Sequence, residues 1–319
     1  MSGTFTLSTP VVFFIYNRPE YTARVFDRIT DAKPSQLFIV ADGPADESDR
    51  ERTEAARAVV EDITWSCDVK RLYASTNLGI KQRFVTGLEY VFNTVERAII
   101  LEDDTVPDPT FFNFCQTLLR RYQDDERIME ITGRNQLGTW RDNGQDYHFS
   151  YNGGIWGWAT WSKYWDMYDP DMELWADPNA KDRVQDLIGD QWQYNHLKRV
   201  YRETYEGNNE TWDYQWAFTR HINSGLSIVP SRNLIANIGF GEGATHTSDE
   251  DSPFAGTPVY SMDFPLNHPD YIVVDRDYDQ SFHRLRPGRW KVHPIVYPIW
   301  ERMRSLVNNI TITHSMNSK

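Results

Sequence analysis

The sequence predicts an α/β protein in which a mostly parallel sheet is flanked by helices and followed by a mixed α/β second half. Over the first 125 residues, short apolar runs alternate with segments of helical periodicity, the pattern of strand and helix units in a parallel sheet. The run at 11–16 is continuously apolar, as a strand buried on both faces requires. Beyond about residue 140 the chain becomes rich in glycine and tryptophan, and long helical patterns continue to residue 206. At 319 residues, the chain is expected to form one catalytic-size domain with elaborations.

The individual elements follow from these runs and from the residues that separate them. Strands are predicted at 11–16, 37–44, 69–74 and 97–101. Helices are predicted from Pro19, over 46–63, over 77–92, and from an Asp108 N-cap with Pro109 as the first helical residue. The first half therefore reads as four strands, each followed by a helix.

Composition and charge exclude several classes of protein. The net charge of −13 argues against a nucleic-acid partner, which would need a basic surface. Cys67 and Cys115 are the only cysteines, so a disulfide framework or a cysteine-rich metal site is excluded, and a reducing compartment is expected. The first twenty residues predict neither a signal peptide nor a spanning helix. We therefore expect a cytoplasmic protein.

The C-terminal part is predicted to be an irregular basic extension, residues 251–319, that follows a catalytic domain over 1–250. Residues 281–304 carry six Arg and Lys residues against Glu301 alone, interleaved with aromatic residues. Two interpretations are open. The segment could rest on an anionic surface at the inner face of a membrane, or it could pack as a basic strap on the acidic protein body.

Three acidic residues, Glu102, Asp103 and Asp104, directly follow the predicted strand at 97–101. The carboxyl ends of the strands are where open α/β sheets bind ligands. Alternation along a strand sends Glu102 and Asp104 to one face and Asp103 to the other. Carboxylate oxygens of this kind suit Mg²⁺ or Mn²⁺ shared with a phosphate. The alternative is a solvated acidic loop ahead of the next helix.

The order of five motifs, "NRPE", "ADGP", "NLGIKQRFVTGLEYVF", "AIILEDD" and "TWDYQW", resembles the nucleotide-sugar-dependent glycosyltransferases of the GT-A fold. It is similar to family 2 and to the N-acetylglucosaminyltransferase I type, over roughly residues 10–250. The resemblance implies a Rossmann-like nucleotide-binding part over 10–125 and an acceptor-side part over 126–250. It also implies a Mn²⁺ or Mg²⁺ cofactor and a nucleotide-sugar donor, with a uridine diphosphate donor expected.

The same resemblance assigns residues to the donor site. Asp104 would coordinate the metal, with His246 as a later ligand of the metal or the diphosphate. Glu102 and Asp103 would contact the ribose or donor sugar or support the metal, and Asp42 would bond to the base or ribose. The residues that would border the nucleotide and its diphosphate are Tyr16, Asn17, Arg18, Asn77, Gly79 and Lys81. Read without the resemblance, Asn17 and Asn77 are also ordinary turn or cap residues, and Lys81 a solvated helix charge.

An inverting transfer needs a carboxylate that takes a proton from the attacking hydroxyl. By the resemblance, the segment that holds Asp213, Trp216 and Arg220 supplies it, and Asp213 is the predicted base, with Glu210 in reserve. The alternative is that Asp213 only stabilises a helix N-terminus. Trp156, Trp158 and Trp161 are predicted either to form an acceptor or donor-sugar wall or to pack in the core.

The sequence thus predicts a metal-dependent enzyme that moves a hexose or N-acetylhexosamine to a hydroxyl of a glycan or lipid-linked glycan. A sugar nucleotidyltransferase is the nearest enzymatic alternative, but the segment after the first strand lacks the glycine-rich basic loop such enzymes use. A non-catalytic protein that binds carbohydrate or nucleotide sugar is the third hypothesis.

Overall fold

The computed structural model describes residues 5–141, 144–240 and 256–285. The chain divides into two compact units, Met1–Gln280 and Ser281–Lys319. Within the described residues, all the strands lie in the first unit, as do the helices up to Ile222. Of the second unit, only residues 281–285 are described.

The first unit is built on an eight-stranded sheet with the strand order β3-β2-β1-β4-β8-β6-β9-β7. Strands β1 to β4 pair in parallel, and β8 joins β4 in the antiparallel direction to start a mixed half. The predicted α/β class, parallel first and mixed second, is confirmed. The strands are β1 Val11–Ile15, β2 Gln36–Ala41, β3 Asp68–Tyr73, β4 Arg97–Glu102, β5 Thr105–Pro107, β6 Ile128–Thr132, β7 Tyr147–Ser150, β8 Trp158–Trp161, β9 Leu226–Pro230 and β10 Ile235–Asn237.

The register of the parallel strands brings their carboxyl ends to one edge. All five residues of β1 are buried, as expected for a strand covered on both faces. Ile15 pairs with Ala41 of β2, and Phe14 pairs with Glu102 of β4. The residues that follow these strands, Tyr16 and Asp103 among them, therefore meet at the same edge of the sheet.

Helices cover the sheet and begin at residues suited to that position. Pro19 opens α1, where its missing N–H costs nothing. The Asp46 carboxylate caps α2 by accepting the N–H groups of Ser48 and Asp49. The helices are α1 Pro19–Ala32, α2 Glu47–Val59, α3 Ile80–Phe92, α4 Thr110–Arg121, α5 Ser162–Trp165, α6 Pro178–Ile188, α7 Gln191–Tyr205, α8 Asp213–Ile222 and α9 Arg276–Leu285, with a 3₁₀ turn at Glu173–Ala176.

Several predicted boundaries need correction. Helix α2 ends at Val59 and not at 63, and α3 begins at Ile80 and not at 77, directly after Gly79 with φ +78°. Helix α4 runs from Thr110, one residue later than predicted, but Pro109 has helical dihedral angles, and Asp108 caps the helix as predicted by accepting the Thr110 N–H with its carboxylate and the Phe111 N–H with its carbonyl. The extension predicted as irregular contains helix α9, whose first turn is acidic and whose last turn is basic, in keeping with the helix dipole.

A short ribbon carries the chain back to the carboxyl edge of the sheet. Strand β10 pairs with β5 in the antiparallel direction, so that Asn237 faces Thr105. Beyond the pair, the Ile238 N–H donates to the Asp104 carbonyl at 2.9 Å. Residues about 130 positions apart in sequence thus become neighbours at the acidic triplet.

The apolar side chains form one large core around the sheet and a smaller helical core. The smaller core lies among α6, α7, α8 and the 3₁₀ turn and consists of Met172, Trp175, Val184, Ile188, Tyr194, Leu197, Tyr201 and Phe218. It supports the face of α8 that points away from the sheet.

Two sequence predictions fall outside the described residues. His246 and most of the basic segment, residues 286–304, belong to the parts of the chain that the structure does not describe. Among the helices in the described ranges, none combines the length and the apolar character needed to cross a membrane.

Candidate functional site

Two cavities adjoin at the carboxyl edge of the parallel strands. The strand-edge cavity, about 390 Å³, lies over the ends of β1, β2 and β4 and the start of α3. The helix-side cavity, about 410 Å³, lies between Asp104 and the segment 209–214 that leads into α8. The residues common to both linings are Arg18, Ile80, Glu102 and Glu210. A ligand could therefore extend from one cavity into the other past Arg18 and Glu102.

The structure gathers most of the predicted donor-site residues around the strand-edge cavity. Parallel pairing explains this, because each of them follows a strand or opens the next helix at the same edge. The predicted residues in its lining are Tyr16, Asn17, Arg18, Asp42, Asn77, Gly79, Glu102 and Asp103. Their roles in binding remain predictions.

Asp49, on α2, fixes the chain just after β1. The Tyr16 hydroxyl donates to one Asp49 oxygen, and the Asn17 side-chain amide donates to the other at 2.6 Å. Burial and the hydrogen bond to Asp49 raise the pKa of Tyr16. Sequence reasoning missed Asp49 because it lies in a charged helix with no local sign of an inward-facing carboxylate.

Asp42 orders the loop between β3 and α3. Its carboxylate accepts the N–H groups of Gly43, Leu78 and Gly79 at 2.8 to 3.0 Å. Gly79 has φ +78°, a conformation that glycine adopts without strain. In this structure the Asp42 carboxylate therefore accepts hydrogen bonds from the backbone and positions the loop. The predicted hydrogen bond to a base or ribose would be made by the same carboxylate in addition to these.

Lys81 lines neither cavity, because its ammonium group donates to the Pro170 carbonyl at 2.9 Å. The cation on α3 that does line the strand-edge cavity is Arg83. One Arg83 nitrogen donates to the Leu72 carbonyl at 2.5 Å, and the buried Nε has no partner. Burial lowers the pKa of Arg83. Arg83 was not predicted as a site residue, although it lies only two residues after Lys81 on the same helix.

Arg18 lies between two carboxylates of the acidic triplet. Its Nη2 pairs with Asp103, and its Nη1 pairs with Asp104 Oδ2 at 3.1 Å. Asp104 lines the helix-side cavity and Asp103 the strand-edge cavity, while Glu102 lines both. Strand β4 ends at Glu102, so the turn at 103–104 and not strand alternation separates the two aspartates. Burial raises the pKa of all three carboxyl groups, and the positive charge of Arg18 opposes that shift.

The carboxylates of the triplet bear on whether the site can hold a metal. Within the ranges that the structure describes, no cluster of three or more His, Cys, Asp or Glu side chains is arranged to hold an ion. Mg²⁺, however, commonly takes one or two carboxylates and completes its shell with phosphate oxygens and water. Glu102 Oε1 and Asp103 Oδ2 are buried and have no hydrogen-bond partner. The donor set thus fits an ion shared with a phosphate, and it does not fit an all-protein cage.

Asp213, the predicted base, is the first residue of α8 and lines the helix-side cavity. The Thr211 hydroxyl donates to its carboxylate. Glu210, the reserve candidate, lines both cavities. The structure therefore brings Asp213, Glu210 and Asp104 to one cavity, from segments about 110 residues apart.

The three tryptophans of the 153–161 stretch separate into two groups. Trp156 lines the helix-side cavity, and the Arg134 guanidinium lies 5.0 Å from the centre of its ring. Trp158 and Trp161 are 0% and 4% exposed and line neither cavity, because they belong to β8 in the middle of the sheet. The wall interpretation survives for Trp156, and the packing alternative holds for the other two.

Trp216 and Arg220 also lie behind the site and not in it. Both contact Glu130, which is fully buried on β6. Glu130 accepts the Trp216 Nε1–H at 2.6 Å and pairs with the Arg220 Nε at 3.3 Å. The same carboxylate accepts the Gly154 N–H at 3.0 Å, so it joins α8 to the loop that carries Trp156.

Comparisons with known proteins find only distant structural matches. No protein-family model and no curated protein sequence matches the chain. Solved structures that the comparison matches to this chain include 4-diphosphocytidyl-2C-methyl-D-erythritol synthase from Anaerococcus prevotii, a UDP-glucose pyrophosphorylase in complex with UDP-glucose, and a cytidylyltransferase from Leptospira borgpetersenii. In that order, the identities are 11%, 8% and 10% and the TM-scores 0.31, 0.38 and 0.32. The matches cover 50%, 72% and 51% of this chain and 75%, 93% and 64% of theirs.

Proposed function

We propose that the chain is a glycosyltransferase that takes a sugar from a nucleoside diphosphate and moves it to a hydroxyl group. The nucleotide would occupy the strand-edge cavity and the acceptor the helix-side cavity. The observation that carries this proposal is that the two cavities share lining residues, Arg18 and Glu102 among them. Asp104 and Asp213 line the helix-side cavity.

The lining of the strand-edge cavity suits a nucleotide. Arg83 offers a guanidinium donor at the end next to β3, and Arg18 offers one at the end next to β4. Guanidinium groups bind carbonyl and phosphate oxygens through several N–H donors. Asn77 and Tyr16 add neutral polar groups to the same lining. A uridine diphosphate fits this order, with its base toward Arg83 and its diphosphate toward Arg18.

Asp104 would hold Mn²⁺ or Mg²⁺ together with the diphosphate. Such an ion, when bound, stabilises the negative charge that develops on the departing diphosphate. Glu102 and Asp103 would support it from the adjoining positions of the same loop. Arg18 would supply further positive charge at the same place.

Asp213 would act on the acceptor. Its carboxylate takes the proton of the attacking hydroxyl as the oxygen forms a bond to the anomeric carbon of the donor sugar. The bond from that carbon to the diphosphate oxygen breaks, and the nucleoside diphosphate leaves with the bonding electrons. One displacement of this kind inverts the anomeric configuration.

A sugar nucleotidyltransferase is the second candidate, because the solved structures matched to this chain include nucleotidyltransferases and a pyrophosphorylase. That reaction joins a nucleoside triphosphate to a sugar phosphate and releases pyrophosphate. The segment between β1 and α1 here is three residues long, Tyr16 to Arg18, and contains no glycine. This short connection offers no glycine-rich loop for a triphosphate.

A two-product assay tests both candidates. The protein is incubated with Mn²⁺ and a panel of uridine and other nucleotide sugars, and in parallel with nucleoside triphosphates and sugar phosphates. Release of nucleoside diphosphate from a sugar donor supports the proposal. Release of pyrophosphate supports the nucleotidyltransferase, and metal-dependent nucleotide binding without turnover of any substrate would indicate a binding protein.

A further inference from the structure

Arg18 places a fixed positive charge at the position where the proposed function requires a divalent metal ion. Its guanidinium bridges Asp103 and Asp104 through two different nitrogens, with the pair to Asp104 at 3.1 Å. Its side chain is 22% exposed, and it lines both cavities. The guanidinium carbon lies over the ring of Tyr21, 5.6 Å from its centre. The side chain is thus held in place, yet a ligand in either cavity can reach it.

We propose that Arg18 keeps Asp103 and Asp104 closed to a divalent ion until an anionic ligand draws its guanidinium away. This inference rests on the proposed function only in that the ligand is taken to be a nucleoside diphosphate. In the ligand-free protein, Arg18 is the counter-ion of the triplet. When a diphosphate enters the strand-edge cavity, its oxygens give Arg18 a new partner and leave Asp104 free for the ion.

The charges and contacts at the triplet agree with such an exchange. Glu102, Asp103 and Asp104 carry three formal negative charges against the single positive charge of Arg18. Glu102 Oε1 and Asp103 Oδ2 are buried without a partner while Arg18 is in place, so the site retains acceptor oxygens that one guanidinium does not satisfy. A buried carboxyl group relieves this cost by keeping its proton or by binding a further cation, because unpaired buried charge is costly.

The consequence is a coupling between the two ligands. An ion that binds alone must displace Arg18 without compensation, so its affinity is low. An ion that binds with the diphosphate meets a free Asp104, so each ligand strengthens the other by the same factor. Removing Arg18 takes away the competitor, so the ion alone binds more tightly and the coupling shrinks.

The test compares Mn²⁺ binding to the whole protein, measured by electron paramagnetic resonance and calorimetry, with and without uridine diphosphate. In the wild type, uridine diphosphate is expected to strengthen Mn²⁺ binding roughly 5- to 150-fold, the usual range of such couplings. In Arg18→Met, Mn²⁺ alone is expected to bind about tenfold more tightly or better, with most of the coupling lost. Arg50→Met is the matched control, because Arg50 is an exposed arginine paired with Glu47 on α2.

Each outcome decides the inference. If Mn²⁺ alone binds Arg18→Met no better than the wild type, the inference is wrong, whether or not uridine diphosphate binds. If uridine diphosphate does not bind the wild type at all, the proposed function fails while the comparison with Mn²⁺ alone still stands. Should Arg18→Met not fold, Arg18→Lys replaces it, since one ammonium group cannot bridge both carboxylates with two nitrogens. That variant should show an intermediate gain in Mn²⁺ affinity, and an unchanged affinity would overturn the inference.

Discussion

Gly239 lies directly behind Asp104. An ideal β-carbon at position 239 would overlap the Asp104 Oδ2 and lie 2.9 Å from its Cγ. The neighbouring Ile238 N–H donates to the Asp104 carbonyl at 2.9 Å, which keeps the two segments in contact. The absence of a side chain at 239 therefore sets where the Asp104 carboxylate can lie.

Replacing Gly239 with alanine should displace the Asp104 carboxylate. We expect Gly239→Ala to lose at least about tenfold in affinity for Mn²⁺ in the presence of uridine diphosphate, since a displaced ligand is poorly oriented. Calorimetry measures this. Gly144→Ala is the control, because a β-carbon at 144 meets nothing within 4 Å. Equal Mn²⁺ affinity in the two variants would contradict the assignment of Asp104.

Removing the charge of Asp213 should slow transfer without weakening donor binding. Asp213→Asn keeps the size of the side chain but cannot accept the proton, so turnover should fall about 100- to 10,000-fold. Uridine diphosphate binding should stay within about twofold, because Asp213 lines only the helix-side cavity. Glu210→Gln provides the comparison. If that variant loses turnover and Asp213→Asn does not, Glu210 is the base.

The buried pair of Glu130 and Arg220 should matter for stability. Glu130→Gln leaves the Arg220 charge buried without its carboxylate, which typically costs about 3 to 5 kcal/mol of unfolding free energy. Urea unfolding followed by circular dichroism measures the loss. Arg127→Gln breaks an exposed pair with Asp125 and should change the unfolding free energy little. If Glu130→Gln lowers the unfolding free energy as little as Arg127→Gln does, the network around Glu130 is not needed to hold α8.

Two buried histidines should make the fold sensitive to acid. Burial lowers the pKa of His148 to about 4 and that of His221 to about 3. His221 donates its Nε2–H to the Tyr151 carbonyl and accepts from the Tyr201 hydroxyl, so its neutral form is the bonded one. Below the unfolded-state histidine pKa of about 6.5, these two histidines bind protons in the unfolded chain and not in the native state, so their contribution to stability decreases as the pH is lowered to about 4.

His148→Phe should remove one such proton, because phenylalanine fills the ring volume beside Tyr278 and does not titrate. Between pH 4.5 and 6, the slope of unfolding free energy against pH should become shallower by up to about 1.4 kcal/mol per pH unit. Between pH 7 and 8 both proteins should have the same slope. An unchanged slope at low pH would mean that His148 is already charged in the native state.

Local pattern was enough to predict the strands that build the site. The apolar runs that end at Tyr16, Asp42 and Glu102 are long enough to form buried strands. Because parallel strands run in the same direction, their carboxyl ends lie at the same edge of the sheet. Hence most of the predicted donor-site residues lie around the strand-edge cavity. Lys81 was placed by its position in a motif, and its side chain turns instead to the Pro170 carbonyl.

The partners of the site residues could not be predicted, because they come from distant parts of the chain. Asp49 holds Tyr16 and Asn17 across 33 and 32 positions, and Gly239 backs Asp104 across a ribbon that no periodicity indicates. The tryptophans show the same limit. Trp156 and Trp158 lie two residues apart, yet only the sheet decides that Trp158 is buried and that Trp156 faces the cavity.

The sequence by itself determined the α/β class and predicted that the polar site residues lie at the carboxyl edge of the parallel strands. It also predicted that the acidic triplet lies at the centre of that site. A short apolar run predicts a buried strand locally, and the alternation of strands with helices predicts that the strands pair in parallel. Only the tertiary structure decided that an arginine bridges Asp103 and Asp104 and that Asp213 faces the same cavity as Asp104. Those relationships depend on distances between segments far apart in the chain, which are set by how the helices and the β5–β10 ribbon pack against the sheet.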